Sequence, residues 1–301
     1  MNYAGVCYNV FMSENKQKPK DKYGAVWVSH SSMGDFLKCP RAYYLHNVYK
    51  NPKTGRKINI INPALALGQI VHEVLEGLAK YKAEERFNRP ILENFDKAWQ
   101  KVSGKRGGFK DAEEEVLAKV RGRAMIERVI KNPGPLKNKT VLMKPGTNGM
   151  PTNFYLSEDD NIILCGKIDW LEYVPETDAV RLIDFKTGKH EENSDSLQLP
   201  IYHLLLKHCQ NRPLAGASYW YLDRDDAPSS VALPDLEVGR KAVLSVARQV
   251  KTAREKKEFL CPRGASGCFA CQPFEKIVRG EAEFIGVGEY NQDVYVISDL
   301  S

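Results

Sequence analysis

Cys165-Gly-Lys-Ile-Asp169-Trp-Leu-Glu-Tyr-Val174, then Pro175-Glu-Thr-Asp178, then Ala179-Val-Arg-Leu-Ile-Asp184-Phe-Lys186-Thr-Gly188: two β-rich segments flank a four-residue polar turn, which is the pattern of a β-hairpin. If Val174 and Ala179 close the turn, antiparallel pairing sets Asp169 directly opposite Asp184, with Cβ atoms roughly 5 Å apart on one face. Side chains alternate with period two, so Lys186 shares that face and Phe185 points the other way. Two acids and an amine therefore converge at one spot. The apolar residues around them, Ile162, Ile163, Leu164, Ile168, Leu182 and Ile183, point to a central strand pair, where idle charges are costly.

Like charges placed opposite each other destabilise a sheet unless a cation compensates them. Carboxylates are hard oxygen ligands suited to Mg²⁺ or Mn²⁺, which keep several waters and take up phosphate oxygens. The chemistry this implies is phosphodiester hydrolysis. The metal would polarise the phosphoryl group and activate a water, while Lys186 would orient that water or neutralise developing charge. An isolated D-x-K is more often a solvated surface hairpin, so the case depends on what other segments bring to it.

Two segments do so. Leu65-Ala-Leu-Gly68-Gln-Ile-Val-His72-Glu-Val-Leu-Glu76-Gly-Leu-Ala-Lys-Tyr81 has helical periodicity, with Ile70, Val71, Val74, Leu75 and Leu78 as its apolar side. Gly68, His72 and Glu76 stack on this helix; the glycine permits close backbone approach, and the histidine offers an imidazole ligand. Downstream, Gln198-Leu-Pro-Ile-Tyr202-His-Leu-Leu-Leu-Lys-His208 opens a second amphipathic helix on which Gln198 and Tyr202 lie one turn apart. They are placed to meet the site or a nucleic-acid backbone together, although Tyr202 also suits a core position.

In order and spacing, Gly68-x-x-x-His72, Gly166-x-x-Asp169, Asp184-x-Lys186 and Gln198-x-x-x-Tyr202 resemble the motif set of RecB-type nucleases in the PD-(D/E)XK superfamily. That group includes AddB-like and CRISPR-associated exonucleases. The resemblance spans about residues 29 to 275. It implies a restriction-endonuclease-like α/β core with a mixed central β-sheet flanked by helices. It further implies that His72, Asp169, Asp184 and the Phe185 carbonyl bind Mg²⁺ or Mn²⁺, that Lys186 is the catalytic lysine, and that Gln198 and Tyr202 are auxiliary site residues. The second acid is aspartate rather than glutamate, a variation the superfamily's pattern allows.

The chain has seven cysteines: Cys7, Cys39, Cys165, Cys209, Cys261, Cys268 and Cys271. The odd count, the lack of a signal-peptide pattern and the lack of an apolar run long enough to span a membrane point to a reducing, cytoplasmic setting without disulfides. Cys261-x6-Cys268-x2-Cys271 is a compact trio in a Pro/Gly-rich loop, and Cys39 would have to return across the fold to join it. Four thiolates favour zinc or an iron–sulfur cluster, and spacing alone does not choose between them. The segment from Ser31 to Leu45, with Cys39-Pro40-Arg41 at its centre, resembles the N-terminal cysteine motif of iron–sulfur relatives, which implies a 4Fe-4S cluster clasping the chain ends, with zinc as the alternative. The late trio departs from the common pattern in that no cysteine follows Cys271, so Cys261 must serve as the fourth ligand.

At 301 residues, 43% apolar and 27% charged, the composition is that of a globular protein able to bury a substantial core. Net charge is +6 and the pI about 8.8, mildly basic and compatible with phosphate-backbone contacts. Basic residues concentrate in Lys101-Val-Ser-Gly-Lys105-Arg106-Gly-Gly-Phe-Lys110 and in Arg248-Gln-Val-Lys251-Thr-Ala-Arg254-Glu-Lys256-Lys257. Each is as readily a solvated surface as a phosphate contact. Tyr43, Tyr44, Tyr49 and Phe109 offer stacking surfaces for unpaired bases, although the core is the commoner place for such rings.

Residues 1–25 read as a disordered lysine-rich tail, and 26–301 as one nuclease domain. Within it we expect a helix over about 32–47, a linker over 50–62, a helical insertion over about 90–135, a long helix over about 236–257, a cysteine-cluster segment over about 258–275 joined by Cys39, and an edge strand within 283–297. The function expected is a metal-dependent DNA nuclease, most simply an exonuclease on single-stranded DNA ends, in recombination, repair, phage replication or CRISPR adaptation. No G-x-x-x-x-G-K-[ST] motor motif is present, so any helicase would be a separate partner chain. Two rivals are a non-catalytic DNA-binding or assembly subunit of the same fold and a zinc-stapled structure-specific endonuclease.

Overall fold

The computed structural model describes residues 24–146 and 150–297; the tail expected to be disordered lies, up to residue 23, outside the described residues. The chain runs from β1 (Val26–Val28) into α1 (His30–Lys38), whose start is closed by a reciprocal capping box between Ser29 and Ser32. Cys39 is extended and ends that helix, and Pro40 starts α2 (Pro40–Tyr43), which passes into a π-turn at Tyr44–Val48. β2 (Ile58–Ile60) precedes α3 (Pro63–Gly77), where the Asn62 side chain accepts the Leu65 amide and Pro63 occupies the first turn. The helical insertion comprises α4 (Ile91–Trp99) and α5 (Ala112–Lys131). Then follow β3 (Thr152–Ser157), β4 (Ile162–Gly166), β5 (Trp170–Val174), β6 (Ala179–Lys186), α6 (Gln198–Cys209), β7 (Leu214–Tyr221), β8 (Ser229–Val231), α7 (Leu236–Lys256), α8 (Gln272–Arg279), β9 (Glu283–Val287) and β10 (Asp293–Val296).

The central sheet has the order β5-β6-β7-β8: β5 pairs antiparallel with β6, β6 parallel with β7 through the α6 crossover, and β7 antiparallel with β8. The hairpin register is the one the turn predicts, with Val174 opposite Ala179 and Trp170 opposite Ile183. Alternation on these strands sorts two apolar layers. Trp170, Ile183, Phe185 and Trp220 pack beneath α3, α4 and α5, whereas Leu171, Leu182 and Ala217 pack beneath α6 and α7. The five predicted apolar residues of the His72 helix are all buried in the first layer.

Three expectations about strands change. Residues 165–174 do not form one strand: the chain leaves β4 at Gly166 and re-enters a different sheet at Trp170, with β4 pairing β1 and β3 instead. At the end of β4 the chain runs close to α6, where a Cβ on Gly166 would lie 2.7 Å from Leu205 Cδ1, and Lys167–Asp169 carries it from one sheet to the other. The 50–62 linker contains β2, and the 283–297 segment contributes two strands rather than an edge to the central sheet. β2, β10 and β9 form a separate three-stranded sheet. Ile58 and Ile297 bury together with Ile277 of α8 there, a cluster assembled from residues more than 200 positions apart and so invisible to a local pattern.

Candidate active site

The site forms at the C-terminal end of β6, where α3 from one layer and α6 from the other reach the same strand. His72 Nδ1 of α3 lies 3.3 Å from Glu76 Oε1 and 3.4 Å from Asp169 Oδ1. The other Asp169 oxygen accepts the Phe185 amide at 2.9 Å, which locks the acid against β6. The Phe185 ring packs edge-on to the His72 imidazole, with centroids 6.1 Å apart. Asp184 is 2% exposed. Its Oδ1 accepts from Gln198 Nε2 at 3.0 Å, and that same amide reaches Tyr202 Oη at 3.2 Å. Lys186 Nζ lies 2.8 Å from Asp184 Oδ2 and 2.8 Å from Glu192 Oε2, and donates to Gln198 Oε1. Oδ2 of that buried acid thus has the Lys186 ammonium as its ion-pair partner.

Helix α3 comes this near because residue 68 has no side chain. A Cβ there would lie 3.1 Å from Thr187 Oγ1 at the end of β6, so glycine is kept in a helix interior where it is otherwise unfavourable. Gly68→Val should push α3 outward and weaken divalent-cation binding about tenfold, a magnitude typical of lost outer-shell support, as read by isothermal titration. Unchanged cation affinity would show that the close approach is not needed.

Electrostatics fits a cation. Burial opposes protonation of His72, but the hydrogen bonds and charges of Asp169 and Glu76 outweigh it and push the imidazole up to about 10. Burial first, and the Asp169 carboxylate second, push Asp184 up to about 7, against the pull of Lys186. Burial likewise opposes the charge on Lys186, yet Asp184 and Glu192 raise its pKa above the usual lysine value. Among the described residues, ligand atoms of His72, Glu76 and Asp169 all lie within 4.8 Å of one another. This imidazole and carboxylate set, with the buried Asp184 carboxyl near it, suits Mg²⁺ or Mn²⁺. Because His72 must be neutral to ligate, cation binding near neutral pH should release a proton. Calorimetry in two buffers of different ionisation enthalpy checks this, and a buffer-independent heat would contradict it.

His72, Glu76 and Lys167 border a cleft of about 990 Å³ whose other walls carry Lys80, Lys101, Arg106 and the β9–β10 turn at Tyr290. The basic 101–110 loop thus reaches the site, although Lys101 is paired with Glu73 at 2.7 Å and Lys105 with Glu283 at 2.6 Å. In the second basic run, Arg248 pairs with Asp160 at 2.8 Å. Of the four aromatic rings singled out in the sequence, Tyr43 and Phe109 are core, and Tyr44 and Tyr49 pack beside the cysteines.

A sequence model of the PD-(D/E)XK nuclease superfamily matches residues 27–277. The chain belongs to that superfamily. Its mixed α/β architecture, with helices on both sides of the sheet, is the restriction-endonuclease-like fold of these nucleases, which use divalent metals and act on DNA. No curated protein matches the chain. Among the described residues no helix is long and apolar enough to cross a membrane.

In this superfamily member the structure brings together all the site residues that the motifs singled out and adds three that they did not. Glu76 was visible one turn beyond His72 but had no assigned role. Glu192 lies in the loop after β6, anchored by its amide to Tyr221 Oη at 2.9 Å, and nothing in a Glu-Glu-Asn-Ser loop marks it. His30, at the start of α1, lies 3.4 Å from Ser196 Oγ at the edge of the same cluster. The second predicted group also assembles: Cys39, Cys261, Cys268 and Cys271 are buried, with all four sulfurs within 4.8 Å of one another.

Proposed function

We propose that the chain is a metal-dependent deoxyribonuclease acting as an exonuclease on single-stranded DNA ends, with its active site at His72, Asp169, Asp184 and Lys186. The observation that carries this reading is the convergence of His72, Glu76 and Asp169 ligand atoms beside a buried acid–lysine pair, with His72 and Glu76 on the wall of an open, partly basic cleft. A cation held by His72, Asp169, Asp184 and the Phe185 carbonyl, with Glu76 as a further carboxylate, would supply Lewis-acid polarisation of the phosphate and a more acidic water. Asp169 is held for this by the Phe185 amide, and His72 by Glu76.

Lys186 presents a positive charge where the attacking water and the phosphoryl oxygens meet. Its three partners, Asp184, Glu192 and Gln198, fix the ammonium in place before substrate arrives. Gln198 bridges Lys186 and Asp184, and Tyr202 holds the Gln198 amide. Lys80, Arg106 and Lys167 on the cleft wall are suited to the phosphate backbone of an incoming strand. The preference for single-stranded ends rests on the likeness of the motif order to RecB-type exonucleases. A motor, if the reaction needs one, would be a separate helicase, recombination or CRISPR-adaptation partner.

The test of the exonuclease reading compares linear single strands labelled at either end with covalently closed circular DNA. Short labelled products from the linear strands and intact circles are expected; nicked or linearised circles would overturn exonuclease action in favour of a structure-specific endonuclease.

A further inference from the structure

We infer that Cys39, Cys261, Cys268 and Cys271 hold one tetrahedral zinc ion rather than the 4Fe-4S cluster implied by the motif resemblance. The geometry of the sulfurs decides this. Cys271 Sγ lies 3.8 Å from Cys261 Sγ and 3.8 Å from Cys268 Sγ, and no pair among the four exceeds 4.8 Å. Four thiolates at zinc–sulfur bonds of about 2.3 Å and tetrahedral angles stand about 3.8 Å apart. In a cubane each thiolate projects outward from its own iron, which spreads the cysteine sulfurs to on the order of 6 Å. The loop is built for the tighter set. The Cys268 amide donates to Cys271 Sγ at 3.1 Å and the Arg263 amide to Cys261 Sγ at 3.4 Å, drawing backbone in around the sulfurs. Gly267, in the left-handed region at φ +76, leaves no Cβ where one would lie 3.2 Å from Cys271 Sγ.

The site also has a structural task. Cys39 sits between α1 and α2, while Cys271 caps α8, and α8 packs on β2. β2 pairs with β10, whose partner β9 runs along the cleft. The ion would therefore tie the N-terminal helices to the sheet that walls the cleft.

Metal analysis tests the inference directly. The full chain is purified anaerobically from iron-supplemented cells, so that zinc cannot enter merely for want of iron. The Asp169→Ala variant is purified in parallel, so that metal at the carboxylate site is not counted. We expect one zinc per chain in both proteins, no stoichiometric iron or acid-labile sulfide, and no charge-transfer band near about 400 nm. Cobalt(II) loaded in place of zinc should give the visible d–d bands of a tetrahedral tetrathiolate, and Cys268→Ser should lose the zinc or shift those bands. Because the wild-type metal content is itself decisive, a Cys268→Ser chain that fails to fold does not blunt the test. About four irons and four sulfides per chain would overturn the inference, as would a chain that carries neither metal and shows four freely titrating thiols.

Discussion

Lys186→Ala should lower DNA cleavage by about 10²–10⁴-fold while DNA binding and the fold stay intact, the range typical of losing a positioned acid–base or electrostatic group. The side chain is half-buried at the end of β6 and is the only ammonium within ion-pairing distance of Asp184 among the described residues. Its removal takes the positive charge from the reacting phosphate but leaves His72, Glu76 and Asp169 in place, so cation binding should survive. The Nζ serves polar partners and lies 4.7 Å from the Tyr219 ring centre, so what the substitution removes is chiefly a charge and its polar contacts. Lys186→Arg should not restore activity, since a planar guanidinium cannot fit three partners arranged around one nitrogen. Single-turnover cleavage beside fluorescence-anisotropy binding separates the effects, and a Lys186→Ala enzyme retaining a tenth or more of wild-type cleavage would remove Lys186 from the site.

Asp184→Asn should make the metal-free protein more stable at alkaline pH while abolishing both cutting and the stabilisation that Mg²⁺ gives. Burial and the neighbouring Asp169 push Asp184 up to about 7 from an ordinary value of 3.8. Between these limits the native state keeps a proton that the unfolded chain has released, so stability falls as pH rises through about 4 to 7 and stays reduced above it. His72, pushed up to about 10, adds a loss of the same sign above pH 6.5 as it nears deprotonation. For Asp184 the cost of holding the anion without a metal is on the order of 2–4 kcal/mol. Asparagine removes it, and Lys186 keeps Glu192 and Gln198 as partners. Denaturant unfolding in EDTA across pH 5–9 should show a flatter curve for Asp184→Asn than for wild type. In Mg²⁺ the order should reverse. Superimposable curves in EDTA would mean that Asp184 is not strained by the missing cation.

Much of this site was readable from local rules. The hairpin register followed from turn position and period-two alternation and holds up to Trp170 opposite Ile183, with Lys186 beside Asp184; Asp169 lies just before β5, outside the paired register, and meets β6 through the Phe185 amide. The α3 apolar stripe followed from helical period, and Gly68 gained its meaning from a spacing of one turn to His72. What stayed hidden depended on non-local packing. The break between β4 and β5 follows a strand partner far away in the chain, since β4 pairs with β1 as well as β3 while β5 pairs with β6. The β2-β10-β9 sheet joins segments at the two ends of the described chain, each too short to announce itself. Arg86 illustrates the same limit: a charged residue in a polar stretch, it is 2% exposed and ties the insertion to the sheet. It donates to Leu136 O at 2.7 Å and Asn138 O at 2.6 Å, with its guanidinium 4.9 Å from the Trp170 ring centre. Glu192 entered the site only because the loop after β6 folds back over Lys186.

The most direct measurement of the central claim is degradation of end-labelled single-stranded DNA by wild type and Asp169→Ala, each in Mg²⁺, in Mn²⁺ and in EDTA. The account predicts cleavage by wild type with either cation, none in EDTA, and none by Asp169→Ala in any condition, because that carboxylate bridges His72 and β6. DNA bound but uncut by wild type with both cations, or equal cleavage by Asp169→Ala, would contradict a metal-dependent nuclease at this site; the first result would favour a DNA-binding subunit that keeps the fold without the reaction.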